Sequence, residues 1–242
     1  MDLQPIARSS ASDEVYERLV ASIVEGEVDP GDAMPSERSL SEALGVSRPV
    51  VREALKRLAH AGLVQIRHGG ATLVTDYRRT AGPDLLSRLL LDRNGELDLV
   101  VARGIVEARS DLGPPVAAAA ARRAGEDDLA ALDATVAAMR DADDVRERQR
   151  LALDFWDRVV DASGNVVHRL LFNALRRAYE PVMDALVVVM EAEVSDLDGY
   201  AAVARAIRSG DEAAAVDAVR AVVDRGARAA IDLVDELLEG EA

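Results

Sequence analysis

Between Ser36 and Leu58 the apolar residues fall into two short helical patterns, and only Gly45 and Val46 stand between them. The first pattern puts Leu40, Ala43 and Leu44 on one face behind Ser36, whose hydroxyl can cap the helix, and Gly45 stops it. The second puts Val50, Val51, Ala54, Leu55 and Leu58 behind Ser47, with Pro49 tolerated in the first turn and Gly62 near the end. Helices this short are not stable alone and must bury these faces against something else. Two of them joined by two residues predict a helix-turn-helix.

The flanks extend that unit. Val15, Leu19, Val20, Ile23 and Val24 mark a helix over residues 11 to 26, and Val28-Asp29-Pro30-Gly31-Asp32 is turn chemistry. After the second pattern, Leu63 to Arg67 and Ala71 to Val74 read as two short strands around the His68-Gly69-Gly70 turn, a two-stranded wing. Beyond Thr75 the strand signals stop. A stretch containing Gly82-Pro83 and Asn94-Gly95 leads to a region of helix formers, with helices expected at about 84–92, 97–111, 115–124, 126–140, 145–161, 166–192, 197–209 and 211–238. Pro181 is a possible kink. The expected fold is mainly α: a winged helix-turn-helix over residues 1–78, a linker helix region over 79–96, and an antiparallel all-α bundle over 97–242. The middle of such a bundle is where small-molecule sites lie.

Charge separates the same regions. The net charge is −15 over 242 residues, yet from Arg38 to Arg79 eight basic side chains outnumber three acidic ones, a local +5 that leaves −20 for the rest. Phosphate attraction acts within a Debye length of about 8 Å, so a local basic patch on an acidic body suits a reader of DNA. There is no cysteine, which excludes disulfides, thiolate metal sites and thiol nucleophiles, and His60, His68 and His168 lie far apart. The first 30 residues carry Asp2, Asp13, Glu14 and Glu17 with no long apolar run. No secretory signal is expected, and the longest strongly apolar tract, Ala185 to Met190, is far short of a membrane span. The expected location is the cytoplasm, with no membrane partner.

Arg48 and Arg52 are four residues apart, so both project from one face of the third helix near its N-terminus, where a recognition helix presents side chains to the major groove. Each can fork onto guanine O6 and N7. The run from Pro35 to Leu58 (PSERSLSEALGVSRPVVREALKRL), followed by Gly62-Leu63-Val64 and the His68-Gly69-Gly70 turn, resembles the GntR family of bacterial transcription regulators. The FadR-like subgroup, which joins a winged helix-turn-helix to an all-helical effector domain, is the nearest in pattern. Glu107, the alanine-rich 116–121 run, Asp154-Phe155, Asp161 to Asn165, and Ala206 to Asp211 look like landmarks of that effector domain. The resemblance implies DNA contacts at Arg38, Ser47, Arg48, Pro49, Arg52, His68 and Gly69, the wing residues reaching the minor groove. Pro49 and Val50 stand where the best-known fatty-acid regulator of the group has threonines, so the base sequence read is expected to differ.

Much of the subgroup holds a divalent metal through an Asp, a His four residues later, and two His from the last helices. The matching positions here are Ala152, Trp156, Tyr200 and Val222, none of which supplies the imidazole or carboxylate such a metal needs. No metal and no cofactor are expected. Phe155, Trp156 and Tyr200 suit an elongated apolar ligand instead, which resembles the fatty-acid-responsive branch, with Arg103 as a candidate partner for an anionic headgroup. The implied function is a homodimeric regulator on a palindromic double-stranded operator, controlled by long-chain acyl-CoA or fatty acid. A polar metabolite such as a sugar acid or hydroxy acid is the alternative effector. A hydrolase using Asp154 and Asp157 is the remote rival, and without a nucleophile elbow or metal motif the chain is expected not to be an enzyme.

Overall fold

The computed structural model describes residues 11–67, 70–91 and 95–240, with side chains as far as 236. Contacts divide the chain between Glu96 and Leu97 into two compact units.

The N-terminal unit runs α1 (Ala11–Val24), α2 (Glu37–Leu44), α3 (Arg48–His60), β1 (Val64–Ile66), β2 (Thr72–Val74) and α4 (Tyr77–Thr80), then a 3-10 turn, Pro83–Leu85, into α5 (Leu86–Leu89). Local chemistry sets the helix-turn-helix. The Ser36 hydroxyl accepts from the Ser39 N–H at the start of α2, and Gly45 closes the helix in the left-handed region at φ +66°. The Ser41 hydroxyl then donates to the Val46 carbonyl at 2.6 Å, so both turn residues are held from α2. The apolar stripe of α3, Val51, Ala54, Leu55 and Leu58, is buried against Val15, Leu19 and Ile23 of α1. Each large aliphatic side chain among them contributes about 1.5–3 kcal/mol.

β1 and β2 pair antiparallel in the register Val64↔Val74, Gln65↔Leu73 and Ile66↔Thr72. The far edge of β2 is also used. Ala33 bridges to Leu73, and the Gly31 and Met34 N–H groups donate to the Val74 and Thr72 carbonyls at 2.8 Å. The stretch read as plain turn therefore protects one edge of the wing's base. The 79–96 stretch contributes to this core as well, because Leu85 is buried in it and Leu89 packs on it.

The C-terminal unit is helical: α6 (Leu99–Arg123), α7 (Glu126–Asp141), α8 (Val145–Ala162), α9 (Val166–Tyr179), α10 (Val187–Val194), α11 (Leu197–Arg208) and α12 (Glu212–Gly240). α6 packs along α12, with α8 and α11 also against it, and α7 lies on α8 and α11. The expected break near 112–114 is absent, and α6 continues through Pro114 and Pro115. The two prolines forgo two ladder hydrogen bonds. Tertiary packing outweighs that loss: Gly113 lets Val219 of α12 approach to where a Cβ would sit 3.1 Å away, and Pro114, Ala117 and Ala120 are buried beyond it. The expected 166–192 helix instead ends at Tyr179. A 3-10 turn over Glu180–Val182 contains Pro181, and the chain is helical again only from Val187. The helix expected over 84–92 is reduced to the turn and α5.

Candidate functional site

Burial of Val51, Ala54, Leu55 and Leu58 turns the opposite face of α3 outward. Arg48, Pro49, Arg52, Glu53 and Lys56 are exposed there, and Ser47 is exposed at its start. Ser47 occupies the N-cap position without using its hydroxyl to cap, which leaves that hydroxyl available to a phosphate or a base. The Arg48 side chain makes no hydrogen bond or ion pair with another described residue. Arg52 is differently placed. Its guanidinium forks onto Glu37 of α2, Nε donating to Oε1 at 3.0 Å and Nη2 to Oε2 at 2.7 Å. The hydrogen bond from Arg52 is the main reason the Glu37 carboxyl sits below its ordinary value, with the charges of Arg52 and Arg48 adding to it. Arg38 projects from α2 and pairs with Glu42 at 2.8 Å while remaining largely exposed. Glu37 thus belongs to this surface, although sequence pattern treats it as an ordinary first-turn acid.

The wing is anchored at Gly62. Its carbonyl accepts from the hydroxyls of Thr75 and Thr80, both at 2.6 Å, and at φ +77° a Cβ there would lie 2.4 Å from the Thr80 carbonyl oxygen. Only glycine fits, and the contact ties β1 to α4. Arg67 is exposed at the end of β1. His68 and Gly69 lie outside the described residues.

In the helical unit, Phe155, Trp156 and Tyr200 form one aromatic cluster. Phe155 meets Trp156 and Tyr200 edge to face at 5.4 and 5.0 Å between centroids, and Trp156 lies 5.8 Å from Tyr200. Phe155 and Tyr200 are fully buried. Ala152, Tyr200 and Val222, three of the four positions where the subgroup places metal ligands, belong to the same core, and Trp156 packs on it. Among the described residues no three metal-ligating side chains gather.

The arginine beside this cluster is Arg109. Its guanidinium stands 5.9 Å from the Trp156 ring and forks onto Glu193 of α10, with Nη1 donating to Oε2 at 2.9 Å and Nη2 to Oε1. The Glu193 side chain is 1% exposed and also accepts from the Tyr200 hydroxyl at 3.2 Å. Burial works against the Arg109 charge, but the Glu193 carboxylate outweighs it and holds the guanidinium above its ordinary value. Burial, reinforced by that carboxylate and opposed by Arg109, pushes the Tyr200 hydroxyl well up. Close by in the same charge network is Tyr179, whose hydroxyl accepts from buried Gln149 at 2.6 Å; Gln149 also donates to the Met183 carbonyl. Trp156 Nε1 is buried without a hydrogen bond of good geometry.

Arg103 is elsewhere. It pairs with Glu107 at 3.1 Å and with Asp235 of α12. Six residues turn a helix by 240° beyond one revolution, so Arg103 and Arg109 face different neighbours. Asp154 is exposed, and Asp157 is held by Arg169 at 2.7 Å and Arg176 at 3.1 Å, an ion-pair cluster joining α8 to α9. His60 is exposed, and His168 Nδ1 lies 3.3 Å from the Ser163 hydroxyl. Among the described residues, no helix is long and apolar enough to cross a membrane.

Sequence readily shows the outward face of α3 but not the Arg109–Glu193 pair. The only trace is Gly226, a glycine inside a long helix, where a Cβ would lie 2.1 Å from Glu193 Oε2. Such a glycine marks a close approach.

Comparison with known proteins agrees with these two units. Residues 11–74 match the family described as bacterial regulatory proteins, gntR family, and residues 104–225 match the FCD domain. The HTH-type transcriptional regulator Mce2R of Mycobacterium tuberculosis is 49% identical over 225 residues, 93% of each chain. A fatty acid metabolism regulator protein of Klebsiella pneumoniae is 31% identical over 164 residues, covering 67% of this chain and 66% of that one. The crystal structure of a GntR family member from Pseudomonas syringae shares the fold at a TM-score of 0.51 and 21% identity, over 100% of this chain and 92% of that one. With its exposed recognition helix and glycine-anchored wing in one unit and a helical FCD domain as the other, this chain belongs to the GntR family and is a DNA-binding transcriptional regulator.

Proposed function

We propose that the chain acts as a homodimer on a palindromic operator and that a long-chain fatty acid or its acyl-CoA controls its affinity for DNA. The observation that carries the effector reading is the character of the FCD core. Where the subgroup gathers metal ligands, this chain has an alanine, a valine and two aromatics, with a guanidinium at their edge. Apolar side chains with a guanidinium beside them suit an amphiphile that has a carboxylate or phosphate head and a hydrocarbon chain. The relationship to a fatty acid metabolism regulator supports the same class of ligand. On the DNA side, Arg38, Ser47, Arg48, Pro49 and Arg52 would make the contacts, with His68 and Gly69 in the wing. One winged unit reads few base pairs, and a two-fold pair reads a palindrome.

The polar groups near Arg109, including buried Gln149 and half-buried Tyr179, favour a second reading in which the effector is a small polar carboxylate. Thermal melting separates the two. A ligand bound to the folded chain at 100 times its Kd raises stability by about 2.7 kcal/mol. Oleoyl-CoA or oleate should raise the melting temperature, while hydroxy acids, zinc and chelator should leave it unchanged. A shift with hydroxy acids or zinc and none with any acyl chain would overturn the lipid reading. Light scattering should report twice the 25.9 kDa chain mass.

A further inference from the structure

We propose that Arg109 is the seat for an effector's carboxylate and that Glu193 is a built-in stand-in for it, which the effector must displace. The proposal rests on the reading of the FCD unit as an effector site and names the groups that would hold the ligand's head.

Three observations converge on this seat. Arg109 binds Glu193 through two parallel N–H groups, the geometry by which a guanidinium recognises any carboxylate. The carboxylate in the fork comes from α10, a helix of eight residues that is otherwise apolar on its buried side, and it reaches the core only because Gly226 of α12 leaves space for its oxygens. Beside the fork, Trp156 Nε1–H is buried without a hydrogen bond of good geometry, and its interaction is with the Tyr200 hydroxyl. A fatty-acid carboxylate placed on Arg109 could take the fork from Glu193, the hydroxyl of Tyr200, and the indole N–H of Trp156. Its chain would run among the aliphatic side chains around Phe155.

Displacement also gives the signal. Once Arg109 is taken, Glu193 is an unpaired charge in an apolar core, a state that a protein relieves by moving the group to water. Glu193 carries α10 with it, and α10 packs on α8 and α12. A ligand that binds only when α10 has shifted selects that arrangement of the helical unit.

The test uses Trp156, the single tryptophan of the chain, whose emission reports directly on the seat. The full-length protein is titrated with oleate and with oleyl alcohol, as wild type and as Glu193→Gln, Gly226→Ala and Arg109→Gln. Glu193→Gln keeps the shape of the side chain and removes its charge. Gly226→Ala keeps the charge and pushes the carboxylate off the fork, and it carries the test if the first variant does not fold. Both should bind oleate at least tenfold more tightly than wild type, with oleyl alcohol changed less than threefold. Arg109→Gln should lose the preference for oleate over the alcohol.

Unchanged oleate affinity in both opened variants, or a preference that survives in Arg109→Gln, would overturn the seat while the lipid reading stands. If no acyl probe binds any of the four proteins, the lipid reading fails and citrate and lactate become the probes. A tenfold gain for either in Glu193→Gln would then uphold the seat, and no gain would overturn it too.

Discussion

Replacing Arg109 with methionine should damage the helical unit far more than an ordinary arginine substitution, because of what it leaves behind. Glu193 is 1% exposed and has three hydrogen bonds, two from Arg109 and one of 3.2 Å from the Tyr200 hydroxyl. Methionine retains most of the apolar stem but leaves the carboxylate with one neutral donor. Removing one partner of a buried ion pair costs about 3–5 kcal/mol. At about 2–4 °C per kcal/mol, that lowers the melting temperature of the unit by roughly 6–20 °C. The double variant Arg109→Met with Glu193→Met removes the buried carboxylate together with its half-buried partner, and such a pair replaced by apolar side chains is often neutral or better, so most of the loss should return. Urea unfolding followed by Trp156 emission and by circular dichroism gives both values. A loss below about 1 kcal/mol in the single variant, or a double variant as unstable as the single one, would refute the reasoning and reduce Arg109 to a packing role.

Other substitutions test the DNA-binding unit. Gly62→Ala should cost about 1–3 kcal/mol from backbone strain alone, with more from the clash at the Thr80 carbonyl, seen as a lower melting temperature and weaker DNA binding. Arg48→Ala and Arg52→Ala should each remove about 1–3 kcal/mol of specific binding and relax base preference without unfolding the chain, measured by anisotropy on specific and scrambled duplexes. Glu37 titrates below its ordinary carboxylate value, so its pair with Arg52 supports folding above that ordinary value and is lost as pH falls through the lowered one. An NMR titration should return Glu37 toward normal in Arg52→Ala; a Glu37 that titrates identically in both proteins contradicts the pairing.

What could be read from the sequence was what the chain specifies locally. Ser36, Gly45 and Ser47 mark helix boundaries within a few residues of themselves, and the α3 stripe from Val51 to Leu58 shows which face is outward. The pair Glu37–Arg52 is only 15 residues apart, yet it needs the angle between α2 and α3, which no periodicity supplies. Arg109 and Glu193 are 84 residues apart and meet only after α6, α10 and α12 have packed. Arg103, the sequence's candidate for an anionic headgroup, lies on the same helix as Arg109, but Glu107 and Asp235 take its guanidinium. The prolines of α6 misled for a related reason. Their local cost is real, but the buried alanine face that outweighs it is defined only by contact with α12.

The most direct test of the account is the affinity of the full chain for an operator selected from random duplexes, measured by anisotropy with and without oleoyl-CoA. Binding in the helical unit must favour one arrangement of the protein over another, so operator affinity should change at least tenfold, about 1.4 kcal/mol of coupling. Operator affinity unchanged within twofold, under conditions where melting shows the acyl ligand bound, would contradict it.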